Sequence, residues 1–203
     1  SSYILRTKEG SIRSKKIVVA TNGFYQEGLI PQMDGRVLPV ISNIIVTRKL
    51  NEDEINAHNF KTFSPVANTK NLLYYYRKLT DNRILFGTRG DLTGSDQSNL
   101  AMSKKMEKFL KDIFPKWSNV TIDYNWRGLI ALSQKLTPSI GKIENEEIYY
   151  GFGYNGVGVS AAPVTGKQLS KLVFSSNSLD LDISKIYKGL PKKFIFPQLR
   201  TFY

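Results

Sequence analysis

IYYGFGYNG, residues 148–156, decides how this chain is read. Its last six residues, from Gly151 to Gly156, satisfy the G-x-G-x-x-G spacing of a dinucleotide-binding turn. An apolar run precedes them, and a helix-like stretch, VGVSAAPVTGKQLSKLVF, follows. A glycine turn between strand and helix presents backbone N–H groups at the helix N-terminus, where donors and dipole together attract negative charge. One reading of the loop is an anion or cofactor cradle. The other is a strand-to-helix turn whose small residues serve packing, and spacing alone leaves both open. A Rossmann unit needs further βαβ units after its fingerprint, and too little of the 203-residue chain remains. Asp180 and Asp182 stand near the ribose-acid spacing, but SSNSLDLD reads as a polar exit from a helix. A dinucleotide held here is therefore expected to present some part other than its pyrophosphate.

Working outward, strands dominate. Residues 3–7 read as a short strand, Glu9-Gly10 as a turn and 11–16 as polar. Residues 17–20 read as a buried interior strand ending in Thr21-Asn22-Gly23. A β-rich run covers 37–47, and a polar helical turn follows from Asn51. Strands over 72–79 and 83–88 are joined by Thr80-Asp81-Asn82, a good hairpin turn. Met106, Phe109, Leu110, Ile113 and Phe114 recur at helical spacing with lysines opposite, and Pro115 stops that helix. A strand is expected over 120–126, a loop-rich passage over 128–141, a turn at 144–146, and a helix from the glycine loop to about Phe174. The tail, 192–203, is basic and aromatic and contains Pro197. Strands and helices do not interleave regularly, so an α+β fold with a large antiparallel sheet is expected.

Composition removes several chemistries. The chain is 41% hydrophobic, enough for a core in one domain or two small ones. No run is long enough to span a membrane and the N-terminus lacks a signal peptide's apolar region, so a cytoplasmic location is expected. Cysteine is absent and His58 is the single histidine, which removes thiolate and multi-histidine metal sites. His58 itself reads as a surface residue of a polar stretch. The net charge is +12, but the lysines are scattered. Lys104, Lys105, Lys108 and Lys111 read as the solvated face of one helix, so no nucleic-acid partner is expected. No Ser-His-Asp arrangement or P-loop can be assembled, and nothing pairs Asp91, Glu144, Glu146 or Glu147. The chain carries no self-contained catalytic apparatus and no catalytic side chain is assigned, which favours a cofactor doing the chemistry. Tyr74 and Tyr76 share one strand face and Tyr75 takes the other. With Tyr149, Tyr150, Phe152 and Tyr154 they offer either half-buried sheet residues or a pocket that stacks on a planar ring or cages an amine.

Taken in order, KKIVVATNGF, GRVLPVISNIIVT, LLYYYRKLTDNRILFGTRGD, WRGLIALSQKLTPSIGKI and IYYGFGYNGVGVSAAPVTGKQLSKLV resemble the C-terminal half of the FAD-dependent D-amino-acid-oxidase-like superfamily. Within it they are most like the gamma-glutamylputrescine oxidase and amine oxidoreductase branch. The resemblance covers nearly the whole chain. It implies an α+β fragment of a two-domain FAD-dependent oxidoreductase, with a large mixed or antiparallel substrate-domain sheet plus part of a discontinuous FAD/NAD(P)-binding domain. Residues 1–33 then correspond to the middle segment of the FAD domain, 34–125 to the substrate domain, 126–180 to the return into the FAD domain and 181–203 to a C-terminal tail. The implied cofactor is FAD, and the implied substrate a small amine or amino acid. The family's N-terminal βαβ unit, with its pyrophosphate glycines, is missing here and is an expected partner. Self-association is a further expectation.

The resemblance also implies site residues. Ala20, Thr21 and Asn22 would pass near the FAD. Gly153, Tyr154, Asn155, Gly156, Val157 and Gly158 would contact the flavin ring, their amides stabilising negative charge on it. Tyr74, Tyr76, Trp126 and Tyr150 would line the substrate. Amino-acid-oxidising members often carry an arginine after the Trp-x-Gly turn. Here Arg127 precedes the glycine and apolar residues follow, which moves the expectation toward an amine. The implied activity is oxidation of a C–N bond by hydride transfer to flavin. The alternative is a non-catalytic fragment or binding domain, inactive alone because it lacks the pyrophosphate unit. The start at Ser1 without Met and the end on RTFY read as a piece of something longer.

Overall fold

The computed structural model describes residues 2–70, 73–90, 93–174 and 179–195. Leu72, Asp91 and Pro197 lie outside the described residues. The chain runs β1 (Tyr3–Thr7), β2 (Gly10–Ser14), β3 (Ile17–Val19), β4 (Leu38–Thr47), α1 (Glu52–Ala57), β5 (Val66–Ala67), β6 (Tyr74–Lys78) and β7 (Ile84–Arg89). It continues with α2 (Asp96–Ile113), β8 (Ile122–Leu132), β9 (Ser139–Lys142), β10 (Ile148–Phe152), α3 (Gly158–Phe174) and α4 (Leu181–Tyr187). These elements form two units, one from Ser1–Pro39 with Ile130–Thr201, the other from Val40–Leu129. Among the described residues no helix is long and apolar enough to cross a membrane.

The first unit is built on a three-stranded sheet ordered β3-β10-β9, with β10 parallel to β3 and antiparallel to β9. Alternation along β10 sends Tyr149 and Gly151 to one face and Tyr150 and Phe152 to the other. On the first face Tyr149 and Ile140 meet Leu169, Leu172 and Val173 of α3. That helix buries Ala161, Thr165, Leu169, Leu172 and Val173, a stripe at helical spacing. On the second face Tyr150 and Phe152 pack with Val19, Ile30, Met33 and Ala131. Gly151 is the point of closest approach. A Cβ there would lie 2.5 Å from Thr165 Cγ2 and 2.8 Å from Leu169 Cδ1. The first glycine of GFGYNG is thus a helix-packing residue.

The second unit is a five-stranded sheet ordered β5-β6-β7-β4-β8, with antiparallel pairing between β5 and β6, β6 and β7, and β7 and β4. Its core joins Ile45, Ile84 and Phe86 of the sheet to Met102, Met106 and Leu110 of α2, closed by Phe114, Trp117 and Val120. Burying each such side chain contributes roughly 1.5–3 kcal/mol. Ser95 starts α2 by accepting the Ser98 N–H at 3.1 Å. Asn51 and Glu54 form a reciprocal capping box on α1, and Glu54 also grips Arg48 at 2.7 Å. The amphipathic helix read from Met106 to Phe114 is the C-terminal half of α2, which ends at Ile113 with Phe114 as its C-cap, just ahead of Pro115.

Four expectations are corrected. The loop-rich passage expected over 128–141 shrinks to 133–138: β8 runs on to Leu132 and β9 begins at Ser139, where it pairs with β10. β3 is not buried throughout: Val18 is 48% exposed, and among the described residues β3 pairs with β10 alone. The polar stretch after Gly10 forms β2, since its hairpin with β1 needs no apolar face. His58 is half-buried, not a surface residue. Its ring meets Phe114 and Trp117 edge-on at 5.2 Å, and its Nε2 accepts the Lys116 N–H at 3.2 Å. Burial, with Lys116 nearby, pushes its pKa below the ordinary value.

Candidate functional site

Parallel neighbours β3 and β10 end at the same edge of their sheet. In open parallel sheets, ligands bind beyond the carboxyl ends of the strands. Thr21-Asn22-Gly23 follows one strand and the glycine loop follows the other. The fold joins them: the Gly153 N–H donates to Asn22 Oδ1 at 3.0 Å. Asn22 holds φ at 49°, Asn155 at 53°, Gly153 at 76° and Gly156 at 98°. Asn and Gly adopt this left-handed region at least cost.

Asn155 fixes the loop against the end of β8. Its own N–H donates to the Ala131 carbonyl at 3.0 Å. Its Oδ1 accepts the Ser133 N–H at 2.9 Å, and its Nδ2 donates to the Gly153 carbonyl. Ser133 is 2% exposed. A Cβ on Gly153 would sit 3.2 Å from the Ser133 side chain. Gly153 is therefore constrained twice, by its φ and by Ser133. Ser133 was not picked out from sequence, where only its place as a small polar residue at a strand end marks it.

α3 then begins with open donors. The Val157 N–H is taken by the Tyr154 carbonyl at 2.9 Å, and the Ala161 N–H by the Val157 carbonyl at 3.0 Å. Among the described residues the N–H groups of Gly158, Val159 and Ser160 have no partner. Val159 is 98% exposed, and Gly156 and Val157 are exposed beside it. A rigid loop thus presents unpartnered N–H groups at the positive end of a 17-residue helix. Such an end holds partial negative charge.

The remaining expected site residues fall in different surroundings. Ala20 and Thr21 are exposed where β3 ends. Tyr154 is half-buried against Gly158, and burial pushes its hydroxyl up, partly offset by the Thr165 hydroxyl. Tyr150 is 2% exposed in the core, its ring laid over Gly141 and its hydroxyl pushed up to about 12 by burial. Tyr74 and Tyr76 pack on the helix side of their sheet. Tyr74 lies 4.9 Å from Phe109, and Tyr76 lies 5.4 Å from Phe114. Trp126 is 44% exposed on β8. Arg127 anchors the start of α2 through the Ser95 carbonyl at 2.8 Å and Asp96 at 3.2 Å. Asp180 is engaged by Lys171 at 2.6 Å and Gln168 at 2.7 Å, and the lysine holds its carboxyl below the usual range. Tyr75, on the opposite face from its two neighbours, reaches Ser42 Oγ at 3.0 Å.

Comparison with known proteins fits this geometry. Residues 2–172 match the family described as DAO, FAD dependent oxidoreductase. The chain is 31% identical over 170 residues to gamma-glutamylputrescine oxidoreductase of Escherichia coli strain K12, covering 84% of this chain and 39% of that protein. It is 30% identical over 191 residues to a probable oxidoreductase, OrdL, of Haemophilus influenzae, covering 92% and 41%. Among solved structures, glycine oxidase from Geobacillus kaustophilus aligns with a TM-score of 0.71 at 17% identity, covering 96% of this chain and 50% of that one. L-proline dehydrogenase from P. horikoshii aligns with a TM-score of 0.67 at 22% identity, covering 91% and 49%. The chain spans about 40% of the length of the curated relatives it matches.

Proposed function

The chain belongs to the family of FAD-dependent oxidoreductases, and on that premise we propose that it supplies the ring-contacting loop and the substrate sheet of an enzyme oxidising a C–N bond of an amine or amino acid. One observation carries the reading: three unpartnered N–H groups at the start of α3, on a loop held rigid by Asn22, Ser133 and Asn155. Donors so placed fit negative charge, here the electron-rich edge of a flavin. When bound, FAD supplies the two-electron acceptor for such an oxidation.

The chain's own residues then hold and orient. Gly158, Val159 and Ser160 would offer N–H groups to negative charge at the ring edge. Ala20, Thr21, Asn22, Gly153, Tyr154, Asn155, Gly156 and Val157 would form the surrounding wall. On the substrate sheet the lining role passes from Tyr74 and Tyr76, whose rings pack under α2, to Tyr75 on the other face. Trp126 stays exposed enough to contact a ligand. In the same proposal, residues 1–33 and 126–180 belong to a discontinuous FAD domain and 34–125 to the substrate domain. The rest of a longer chain would supply the pyrophosphate turn, and the whole would be cytoplasmic. Identity to a protein named gamma-glutamylputrescine oxidoreductase supports an amine function in the substrate.

The test is anaerobic mixing of the FAD-loaded, full-length protein with a panel of amines and amino acids. At least one is expected to bleach the flavin band. A protein that binds no FAD, or binds it and stays oxidised against the whole panel, overturns the reading.

A further inference from the structure

After α4 the chain crosses the first unit as a strap, residues 188–194. α4 anchors its start. Ile183 and Tyr187 pack on the Leu169 cluster, and Asp180 is held by Lys171 and Gln168. The strap then passes β9, where the Gly189 N–H donates to the Ile140 carbonyl at 3.1 Å. One flank is gripped by the segment after β8. Lys135 Nζ donates to the Lys188 carbonyl and Gln134 Nε2 to the Lys193 carbonyl, each at 3.0 Å. The other flank is gripped by the segment before β4. Arg36 bridges there, its Nη1 donating to the Pro191 carbonyl and its Nε to the Gln32 carbonyl at 2.5 Å. The Phe194 N–H donates to the Gly35 carbonyl at 2.8 Å. Pro191 and Gly35 are buried.

These two segments carry the two supports of the glycine loop. Gln134 directly follows Ser133, whose N–H is held by Asn155 Oδ1 at 2.9 Å. Gly35 and Arg36 end a stretch that starts at Asn22, which accepts the Gly153 N–H. That stretch is knit along its length. The Asn22 carbonyl accepts the Tyr25 N–H at 3.3 Å. The Tyr25 hydroxyl donates to Asp34 and accepts the Ile30 N–H, each at 2.9 Å, and Glu27 accepts the Gly35 N–H at 2.9 Å. A displacement at Gly35 is therefore passed back toward Asn22. The strap fastens the Asn22 side and the Ser133 side to each other, and each tie removes states that a free loop would visit.

We propose that Arg36 and Gln134, acting through the strap, are positioning residues for the N–H groups of Gly158, Val159 and Ser160. They act through Asn22 and Ser133, whose fixed separation keeps the start of α3 aimed at one point. Donors favour developing charge only while they are held in place. A loosened loop holds the negative charge of a reduced flavin less well, and the neutral oxidised ring about as before. This rests on the flavin-edge reading of the loop above.

The test is the two-electron reduction potential of the FAD-loaded, full-length protein, measured at equilibrium with a reference dye. Gln134→Leu and Arg36→Lys both keep the net charge, so a changed potential does not come from a lost charge. Lysine replaces the two-armed bridge with a single head. In the double variant the preference for reduced over oxidised flavin is expected to fall roughly 3- to 10-fold. That is a potential about 15–30 mV more negative. Each single variant is expected to lie between the double variant and the wild type, and the pair serves if the double variant fails to fold. Tyr3→Phe is the control, because it breaks a tie at the opposite end of β10. There the Tyr3 hydroxyl donates to Glu146 at 2.5 Å and accepts the Glu147 N–H at 2.8 Å. It is expected to lower the unfolding temperature and leave the potential unchanged. Strap variants that keep the wild-type potential, or a Tyr3→Phe shift as large as theirs, overturn the inference. A full-length protein that takes up no FAD overturns the flavin-edge reading, and the inference with it. The potential is read without substrate, so its failure to move is distinct from failure of any amine to bleach the flavin.

Discussion

Asn155→Ala tests whether the loop is rigid for the reasons given. The wild-type side chain accepts the Ser133 N–H and donates to the Gly153 carbonyl. Ser133 is 2% exposed, so water does not replace the lost acceptor, and the orphaned N–H costs about 1–3 kcal/mol. Alanine held at the φ of 53° adds about 1–2 kcal/mol. The sum, roughly 2–5 kcal/mol, lowers the unfolding temperature by roughly 5–15 °C in a protein of this size. Asn155→Gly separates the two causes, because glycine accepts the backbone but not the hydrogen bonds. It is expected to recover about 1–2 kcal/mol of the loss. Urea and thermal unfolding of the full-length protein without added FAD measure both variants. The reasoning is refuted if Asn155→Ala unfolds like the wild type, or if the glycine variant is no more stable than the alanine one.

Other outcomes follow from the same structure. Gly87→Ala should displace the Tyr75 ring and cost about 1–3 kcal/mol; in a Tyr75→Ala background most of that cost should vanish, and an undiminished cost contradicts the ring's place over Gly87. His58 has a folded pKa below 6.5, so the unfolded state binds more protons as pH falls below that value. Stability should drop through that window, and His58→Gln should flatten the slope seen in pH-dependent unfolding. Glu54 is pulled from 4.5 down to about 2, chiefly by its hydrogen bond with Arg48. Its contribution should persist above pH 4.5 and disappear as pH falls toward 2, a dependence that Glu54→Gln should remove. The 203-residue chain on its own should show no turnover with FAD and the amine panel; steady turnover would contradict the proposed need for a separate pyrophosphate turn.

Much of this was legible in sequence, because local chemistry set it. Thr80-Asp81-Asn82 makes its hairpin, with Asn82 at a φ of 66° and Leu79 bonded back to Arg83 at 2.8 Å. α3 ends at Phe174, where its apolar spacing ends. Alternation correctly set Tyr75 apart from Tyr74 and Tyr76. It says nothing about which face a helix will cover, and α2 covers the side of Tyr74 and Tyr76. Tyr150 looked like a ligand-facing aromatic because its burial arises from residues as distant as Val19 and Ile30. The seven-residue α4 lies in a stretch that reads from sequence as a polar exit, since what organises it, Asp180 with Lys171 and Gln168 and the packing of Ile183 and Tyr187 on the Leu169 cluster, reaches back to another helix. The glycines of GFGYNG matched one pattern yet serve separate needs: Gly151 for packing, Gly153 and Gly156 for φ.

The pairing of β3 with β10 also governs how the molecule is made. Ile17 finds its strand partner in Ile148, about 130 residues later. Between them lies Val40–Leu129, which has a core of its own. On a ribosome this inserted unit emerges before β10 does, so it can form its core while Ile17 still lacks its β10 partner. Within this stretch the inserted unit can therefore fold ahead of the sheet that its insertion interrupts. The β3-β10 pairing closes only when the glycine loop arrives beside Asn22.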